Sequence, residues 1–566
     1  MLIKLSPFSL PRWLLMVLLV VTPFLYLPLS IDSYHLPRQV FIFLTGAVAF
    51  LYWSIISYQE KRFRISISRF DLYPILLFAS IWVSFFLSSL TVSSLTSLFG
   101  PVTFSTLILL YFFTKTFAKE DKKIILLLFL SSLVFILLLL FPKLNFLNQS
   151  TPSFIRQLAD QNSGWYIAAG NLKNLKNAVF GIGPGNFPLA LAQNRPGTLT
   201  STVLSGLNIP WQTNLYFQIL TEYGVLGLGF FLLFCLKSLS NLSHLGNLSD
   251  LLPRLTFLLI FAFWQPNLVL LMFFFLILAI WNSNYSHTVN LNLKIPLFLL
   301  KTIFLFSVLI FLSFIYLIGR FYLAEVYYKK AFESQQISIN KNTYQDIVKA
   351  LELNDANPLY HLFLSRISLV SALSYAKNQS RGPKEEKILQ SLFNQAIGEG
   401  QKAINLAPNN ASFYFNLAEI YFNSLGYVLG ASDFAITNYN NALSFDPKNP
   451  NYHFGLGKAY QSQKKFDLAE RQFEITTVLD SSFANAYYNL YYALRQQGLY
   501  QQALSPLEQT KNLLPSDHPQ FSQIVKELKV YENFVKEVTA SGNLKNLEPP
   551  PISTSSVLLK QNFGQL

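Results

Sequence analysis

Glu222 has the type and setting to do chemistry. It closes a series, Asn214, Gln218 and Glu222, spaced four residues apart, which puts two amides and a carboxylate on one face of an otherwise apolar helix. From Asn214 to Glu222 the helix rises about 12 Å at about 1.5 Å per residue, which sets the carboxylate near or just below a membrane surface. A carboxylate at that depth is costly and faces a polar cavity. A second reading leaves Glu222 in the headgroup layer, with the apolar span starting at Tyr223; the residues alone leave both open. Upstream, in GIGPGNF, Gly181, Gly183 and Gly185 alternate around Pro184, which favours an irregular backbone able to approach a partner closely. This is no dinucleotide fingerprint, because Asn186 stands where a third glycine belongs and no strand–helix–strand pattern surrounds it. Gly224, Gly227 and Gly229 suit close helix packing instead.

The elements that must position these residues are membrane helices. Of the 566 residues 52% are apolar and 13% charged, against about 25% charged in soluble domains. Apolar runs near 13–30, 40–57, 72–90, 98–114, 123–141, 215–236, 247–264, 267–281 and 296–318 read as spans. The first has Lys4 and Arg12 ahead of it and no small-residue cleavage site, which makes it an uncleaved anchor. Lys61, Arg62, Arg64 and Arg69 follow the second span, and Lys115, Lys119, Lys122 and Lys123 follow the fourth. By the positive-inside rule the N-terminus is cytoplasmic and the loop 142–213 lies outside. The net charge of +14 thus speaks of orientation in a bilayer, not of nucleic acid. The single cysteine, Cys235, excludes an internal disulfide and a cysteine metal cluster. The run 251–281 is interrupted by Trp264-Gln265-Pro266-Asn267. A hairpin of two helices there puts the C-terminal domain outside and one kinked helix puts it inside; the hairpin is favoured, as proline beside two amides suits a turn.

Beyond the last span the pattern changes to helix pairs with a period of 34 residues. At that spacing Gly457 corresponds to Tyr491, Ala469 to Ala503, and Phe473 to Leu507; one period back stand Ala435, Tyr439, Ala442 and Pro447, and before them Ala396, Ala403 and Pro408. This is the tetratricopeptide period, in which small alanines let paired helices approach and aromatics fill between them. Such arrays offer a concave surface to extended protein partners. Isolated His361, His453 and His518 read as packing or surface residues. The fold expected is all-α: a polytopic membrane domain of about nine spans followed by a repeat solenoid. Its parts are helices over 1–141, an external loop 142–213, helices over 214–318, repeats over 319–540 with an insertion at 372–385 and a capping helix near 520–538, and a disordered tail 541–566.

Trp165, GIGPGNF and TNLYFQILTEYGVLGLG together resemble the O-antigen ligase and O-antigen polymerase superfamily of bacterial envelope proteins. The segment from RFDLYPILLF to SLFG is similar to that superfamily's N-terminal half, so the likeness covers roughly residues 1–285. The resemblance implies a multi-pass glycosyltransferase of the cytoplasmic membrane that moves a glycan from a polyprenyl-diphosphate carrier in membrane lipid to an envelope acceptor, without a cofactor or metal. It implies a substrate-binding frame of Trp165, Gly181, Gly183, Gly185, Asn186, Thr213, Asn214 and Gln218. Such transfer needs cations or backbone donors for the leaving diphosphate and a base for the acceptor's proton. Arg195 is the first choice for the diphosphate, with Arg156, Lys173 and Lys176 as other cations. Glu222, the only carboxylate in the motif, is the base, and Asp160 lies before the motif in the chain. The chain departs from the superfamily at Thr213, where a histidine is expected, and at Gln161-Asn162-Ser163-Gly164, where an arginine precedes the tryptophan. A non-catalytic, membrane-anchored repeat scaffold is therefore the alternative. A transporter has little support, since the spans carry few charges and show no inverted repeat.

Overall fold

The computed structural model describes residues 9–32, 35–88, 99–117, 161–200, 214–240, 267–285, 289–293, 295–337, 341–377, 382–541 and 549–550, with single positions between them. It divides into two compact units. One holds residues 1–190, 209–335 and 340–357; the other holds 191–208, 336–339 and 358–566.

The first unit is built from apolar helices: α1 (Ser9–Phe24), α2 (His35–Glu60), α3 (Leu72–Leu87), α4 (Pro101–Phe117), the loop helices α5 (Gln161–Asn171), α6 (Leu175–Phe180) and α7 (Phe187–Gln193), then α8 (Leu215–Ser240), α9 (Leu268–Tyr285) and α10 (Leu297–Ile337). Seven of the nine expected spans coincide with these helices. The segments His35–Glu60, Arg69–Leu87, Leu215–Lys237 and Leu297–Gln335 are long and apolar enough to cross a bilayer, and three more are shorter. The expected spans at 123–141 and 247–264 fall almost wholly outside the described residues, as does nearly all of the tail 541–566.

The helix α9 is apolar all round, and every residue from Leu268 to Ile280 is buried. A helix with no polar face must be enclosed by others, and α4 and α8 pack against it through Phe104, Tyr111, Phe231 and Phe234. The helix α10 is the opposite case. Leu305, Phe306, Leu309, Leu312 and Tyr316 are exposed along it, an apolar surface suited to lipid rather than water. It runs unbroken past residue 319 to Ile337, and α11 (Lys341–Leu353) remains with this unit.

Two features depart from the sequence reading. Segments expected as plain loops form an antiparallel ladder between β1 (Phe63–Ile67) and β2 (Val289–Leu293), with Phe63 opposite Leu293 and Ile67 opposite Val289. Lys115, counted above as a surface charge, is fully buried. Its Nζ donates to both Asp71 oxygens, at 2.8 and 2.6 Å, and to Ser68 Oγ at 2.7 Å. Tyr111 donates to Asp71 Oδ1 at 2.7 Å and Asn282 donates to Tyr111 Oη at 3.0 Å. The cluster thus ties α4 and α9 to the start of α3, where Asp71 directly precedes the helix.

The second unit consists of helix pairs: α12 (Pro358–Ala376) with α13 (Pro383–Leu406), α14 (Ala411–Asn423) with α15 (Ala431–Phe445), α16 (Pro450–Ser462) with α17 (Phe466–Leu479), and α18 (Ala484–Gln496) with α19 (Tyr500–Leu513). The helix α20 (Phe521–Ser541) follows them. The predicted small positions, Ala396, Ala403, Ala435, Ala442, Ala469 and Ala503, are all fully buried, with Tyr439, Phe473, Tyr491 and Leu507 between them. Gly457 needs its lack of a side chain, since a Cβ there would stand 2.6 Å from the Phe473 ring.

Removing one partner of a buried ion pair strands the other charge and costs about 3–5 kcal/mol, while replacing both by apolar groups costs far less. Lys115→Met and Asp71→Leu are each expected to lower the thermal midpoint of the detergent-solubilised protein markedly, and the double variant is expected to recover most of the loss.

Candidate functional site

The site is built where the external loop meets α8. Asn174 caps α6, its side chain accepting from the amides of Lys176 and Asn177, and the helix ends at Gly181. At Gly224 the backbone of α8 leaves helical geometry, with φ 67° and ψ −167°. Beside that break the carbonyls of Thr221 and Glu222 accept hydrogen bonds from the loop amides of Ile182 (3.1 Å) and Gly183 (3.0 Å). Ser84 Oγ of α3 donates to the same Glu222 carbonyl at 2.7 Å. The contact is backbone on backbone, and glycine is required on both sides of it. A Cβ on Gly181 would lie 2.2 Å from the Glu222 carbonyl carbon, and one on Gly224 would lie 2.4 Å from the Val179 carbonyl oxygen. Both also have positive φ, which favours glycine.

This clasp delivers the Gly185 amide to the Glu222 side chain, donating to Oε1 at 2.9 Å. The carboxylate is buried within the protein. Its Oε2 makes no short hydrogen bond among the described residues, but the Gln218 side chain and the Phe187 amide approach the carboxylate as further donors. Three more buried polar atoms nearby also make none: Gln218 Nε2, Gln212 Oε1 and Tyr223 Oη. The other ends of the two glutamines are held, the Gln212 amide donating to Gln218 Oε1 at 2.8 Å and Gln212 Nε2 donating to Thr221 Oγ1 at 2.9 Å. Buried polar atoms are nearly always paired, so these atoms, on the carboxylate and on residues next to it in the chain or bonded to its neighbours, single the region out as a candidate site. Gln212 was missed by the sequence reading; it lies beyond the i, i+4, i+8 series and only folding back of the loop brings it in.

The remaining candidates separate. Asn214 is a helix cap, its Oδ1 accepting from the amides of Tyr216 and Phe217 at 2.8 and 3.3 Å. Asn186 braces the loop, its Nδ2 donating to the Ile182 carbonyl at 3.1 Å. Trp165 is half exposed, its ring against Phe217 at a centroid distance of 5.8 Å. Thr213, Arg156 and Asp160 lie outside the described residues. Lys173 is exposed, and Lys176 donates to the Leu87 carbonyl at the end of α3.

Arg195 corrects the expectation of a diphosphate-binding cation. It belongs to the unit of the repeats, and its guanidinium is taken up by Asp446, with Nε donating to Oδ1 at 3.2 Å and Nη2 to Oδ2 at 2.6 Å. Nη1 donates to the Leu199 carbonyl at 3.3 Å, and both charged groups are at most 5% exposed. A buried fork-to-carboxylate pair satisfies both charges, which leaves this arginine none to offer a diphosphate. Asp446 sits in the Asp-Pro-Lys-Asn-Pro turn between α15 and α16, where Asn449 also donates to it.

In the same unit His361 Nδ1 lies 2.6 Å from Glu399 Oε2, and Lys402 donates to Oε1 at 2.9 Å. Burial pushes Glu399 up, but the hydrogen bonds and charges of His361 and Lys402 outweigh it and hold the carboxyl below its ordinary range.

Residues 427–464 match the family model described as TPR repeat. The C-terminal part of the chain is built of TPR repeats. Similar solved structures include YrrB, a TPR protein with an unusual peptide-binding site (18% identical, covering 36% of this chain and 92% of that one, TM-score 0.27). The thermophilic TPR protein TTC0263 of Thermus thermophilus is 15% identical over 37% of this chain and 99% of its own, with a TM-score of 0.28. PilF of Pseudomonas aeruginosa is 16% identical over 40% and 90%, with a TM-score of 0.30. Among curated proteins none matches the chain. TPR arrays serve protein–protein interaction, and several helices ahead of this array are apolar enough to lie in a membrane.

Gly181→Ala and Gly224→Ala are each expected to unseat the loop from α8, read as faster proteolysis within 172–200. Gly229→Ala, where a Cβ would meet nothing within 4 Å, is expected to leave cleavage unchanged. Because Glu399 is held below its ordinary pKa of 4.5, its contribution to stability is full above that value and is lost as pH falls through the lower folded one. Glu399→Gln is therefore expected to flatten the acid limb of repeat unfolding, followed by circular dichroism.

Proposed function

We propose that the chain is an O-antigen ligase-like glycosyltransferase, embedded by several spans in the cytoplasmic membrane with the loop 142–213 outside. It takes a glycan from a polyprenyl-diphosphate carrier in membrane lipid to an envelope acceptor, by ligation or polymerisation, and its repeats recruit a protein partner or the acceptor. The observation that carries this reading is the buried Glu222 carboxylate, with one oxygen fixed by the Gly185 amide and the other without a short hydrogen bond among the described residues. A general base has to be held in place and yet keep a lone pair for the incoming proton. In the step proposed, the acceptor hydroxyl attacks the sugar's anomeric carbon and its proton passes to Glu222 Oε2, while the bond to the carrier oxygen breaks and the diphosphate leaves with the electron pair. The side-chain amide of Gln218, beside the carboxylate, is a donor suited to a sugar hydroxyl, and Trp165 offers an exposed apolar ring to a sugar face. Lys173, exposed between α5 and α6 in the same unit, and Arg156 upstream of them are the cations assigned to the diphosphate in place of Arg195.

The second reading, a membrane-anchored TPR scaffold without catalysis, is favoured by two observations. Thr213 cannot serve as a base at neutral pH, and Arg195 is committed to Asp446.

Glu222→Gln keeps the shape and the bond from Gly185 but removes the basic oxygen. It is expected to lower transfer from a lipid-linked glycan by about 100-fold or more, at unchanged protein level. Unchanged transfer would remove Glu222 as the base. No transfer by the wild type from any lipid-linked glycan would leave the scaffold as the function.

A further inference from the structure

Two pairings, one formed inside each unit, bear on the side of the membrane that the repeats occupy. The first is the ladder between β1 and β2, whose five residue pairs include Arg64 with Asn292 and Ser66 with Asn290. Open strand edges bearing charged and amide side chains do not lie in hydrocarbon, so both strands share one aqueous face. The strand β1 stands among Lys61, Arg62, Arg64 and Arg69, the basic cluster that the positive-inside rule puts in the cytoplasm. The strand β2 is therefore cytoplasmic as well. Directly after it begins α10, whose 41 residues reach about 62 Å at about 1.5 Å per residue, twice the roughly 30 Å of a hydrocarbon core. One crossing along that lipid-suited helix brings the chain outside before the repeats begin.

The second pairing is Arg195 with Asp446. Arg195 lies in the loop that five spans from a cytoplasmic N-terminus place outside, and Asp446 lies in a repeat turn. A buried, bidentate ion pair cannot form through a bilayer. Lys448 Nζ also donates to the Arg195 carbonyl, at 3.4 Å, and Leu191 and Leu199 on either side are buried. The two routes share the positive-inside assignment but use different pairings, and they end on the same side.

We infer that the TPR domain stands on the extracytoplasmic side, with the segment Leu191–Leu199 of the external loop seated in it as a built-in ligand. The span count follows. Asn214 is outside and β2 inside, so an odd number of crossings separates them; α8 and α9 supply two, and the run ending at Trp264-Gln265-Pro266-Asn267 supplies the third. Such a crossing is what the hairpin reading of the sequence run 251–281 supplies. The repeats then meet proteins of the envelope exterior.

The inference rests on the multi-pass reading and not on glycan transfer, so its test needs no activity. Leu429→Cys and Val478→Cys place thiols at repeat positions that are 97% and 84% exposed, and Gln59→Cys places one at the cytoplasmic end of α2. The native Cys235 is buried and serves as the blank. With a membrane-impermeant maleimide on right-side-out spheroplasts, the two repeat variants are expected to label before lysis and Gln59→Cys only after it. Labelling of the repeat variants only after lysis overturns the placement. For the seated segment, Arg195→Asp and Asp446→Arg are each expected to speed proteolysis within 188–200 by about tenfold or more, and the double swap to return it to near the wild-type rate. A double swap cleaved as fast as the single variants overturns the seating, whatever the labelling shows.

Discussion

The backbone contact between the glycine loop and the break in α8 is the constraint on which the site depends. Two loop amides meet two helix carbonyls at a distance that no side chain can enter, and Ser84 from a third helix adds its hydroxyl to one of them. A helix carbonyl is normally committed to the amide one turn on. The dihedrals at Gly224 depart from that geometry, and the loop takes hold beside the departure. Once the loop is held, the Gly185 amide has nowhere to point but the Glu222 carboxylate, and Gln212 is brought over Gln218 and Thr221. Orientation of the Glu222 carboxylate thus depends on main chain, through the Gly185 amide.

Three buried acidic groups in this chain follow different rules. Asp71 is saturated: a lysine, a tyrosine and a backbone amide take up its oxygens, and the result joins helices. Asp446 is likewise saturated by an arginine and an asparagine. Glu222 has no charged partner among these contacts: its one short hydrogen bond comes from the Gly185 amide, and its other oxygen has none among the described residues. Satisfied buried charges hold structure together, because breaking them strands a partner. That difference in saturation, rather than residue type, separates the structural acids from the candidate base.

The repeats show how far a period can be trusted. Their small and aromatic positions recur because every helix pair must bury the same kind of face against its neighbour, so Ala469, Ala503, Phe473 and Leu507 are buried as their spacing requires. The same logic gave the apolar spans and the shared face of Gln218 and Glu222. These features are local, repeating every few residues or every 34, and a single chain displays them without knowledge of its fold.

Partner choice is not local. Arg195 and Asp446 are 251 residues apart, Lys115 and Asp71 are 44 apart, and β1 pairs with a strand more than two hundred residues away. Read singly, Arg195 was a phosphate ligand, Lys115 an orientation signal and Asn214 a substrate contact. Folding made the first two halves of buried ion pairs and the third a helix cap. By itself the sequence determined where apolar helices and repeats form, because hydrophobic period and helix spacing are written within one or two turns. Only the tertiary structure decided which charges are spent on the fold, because a buried charge takes its role from whatever packing brings within about 3 Å of it.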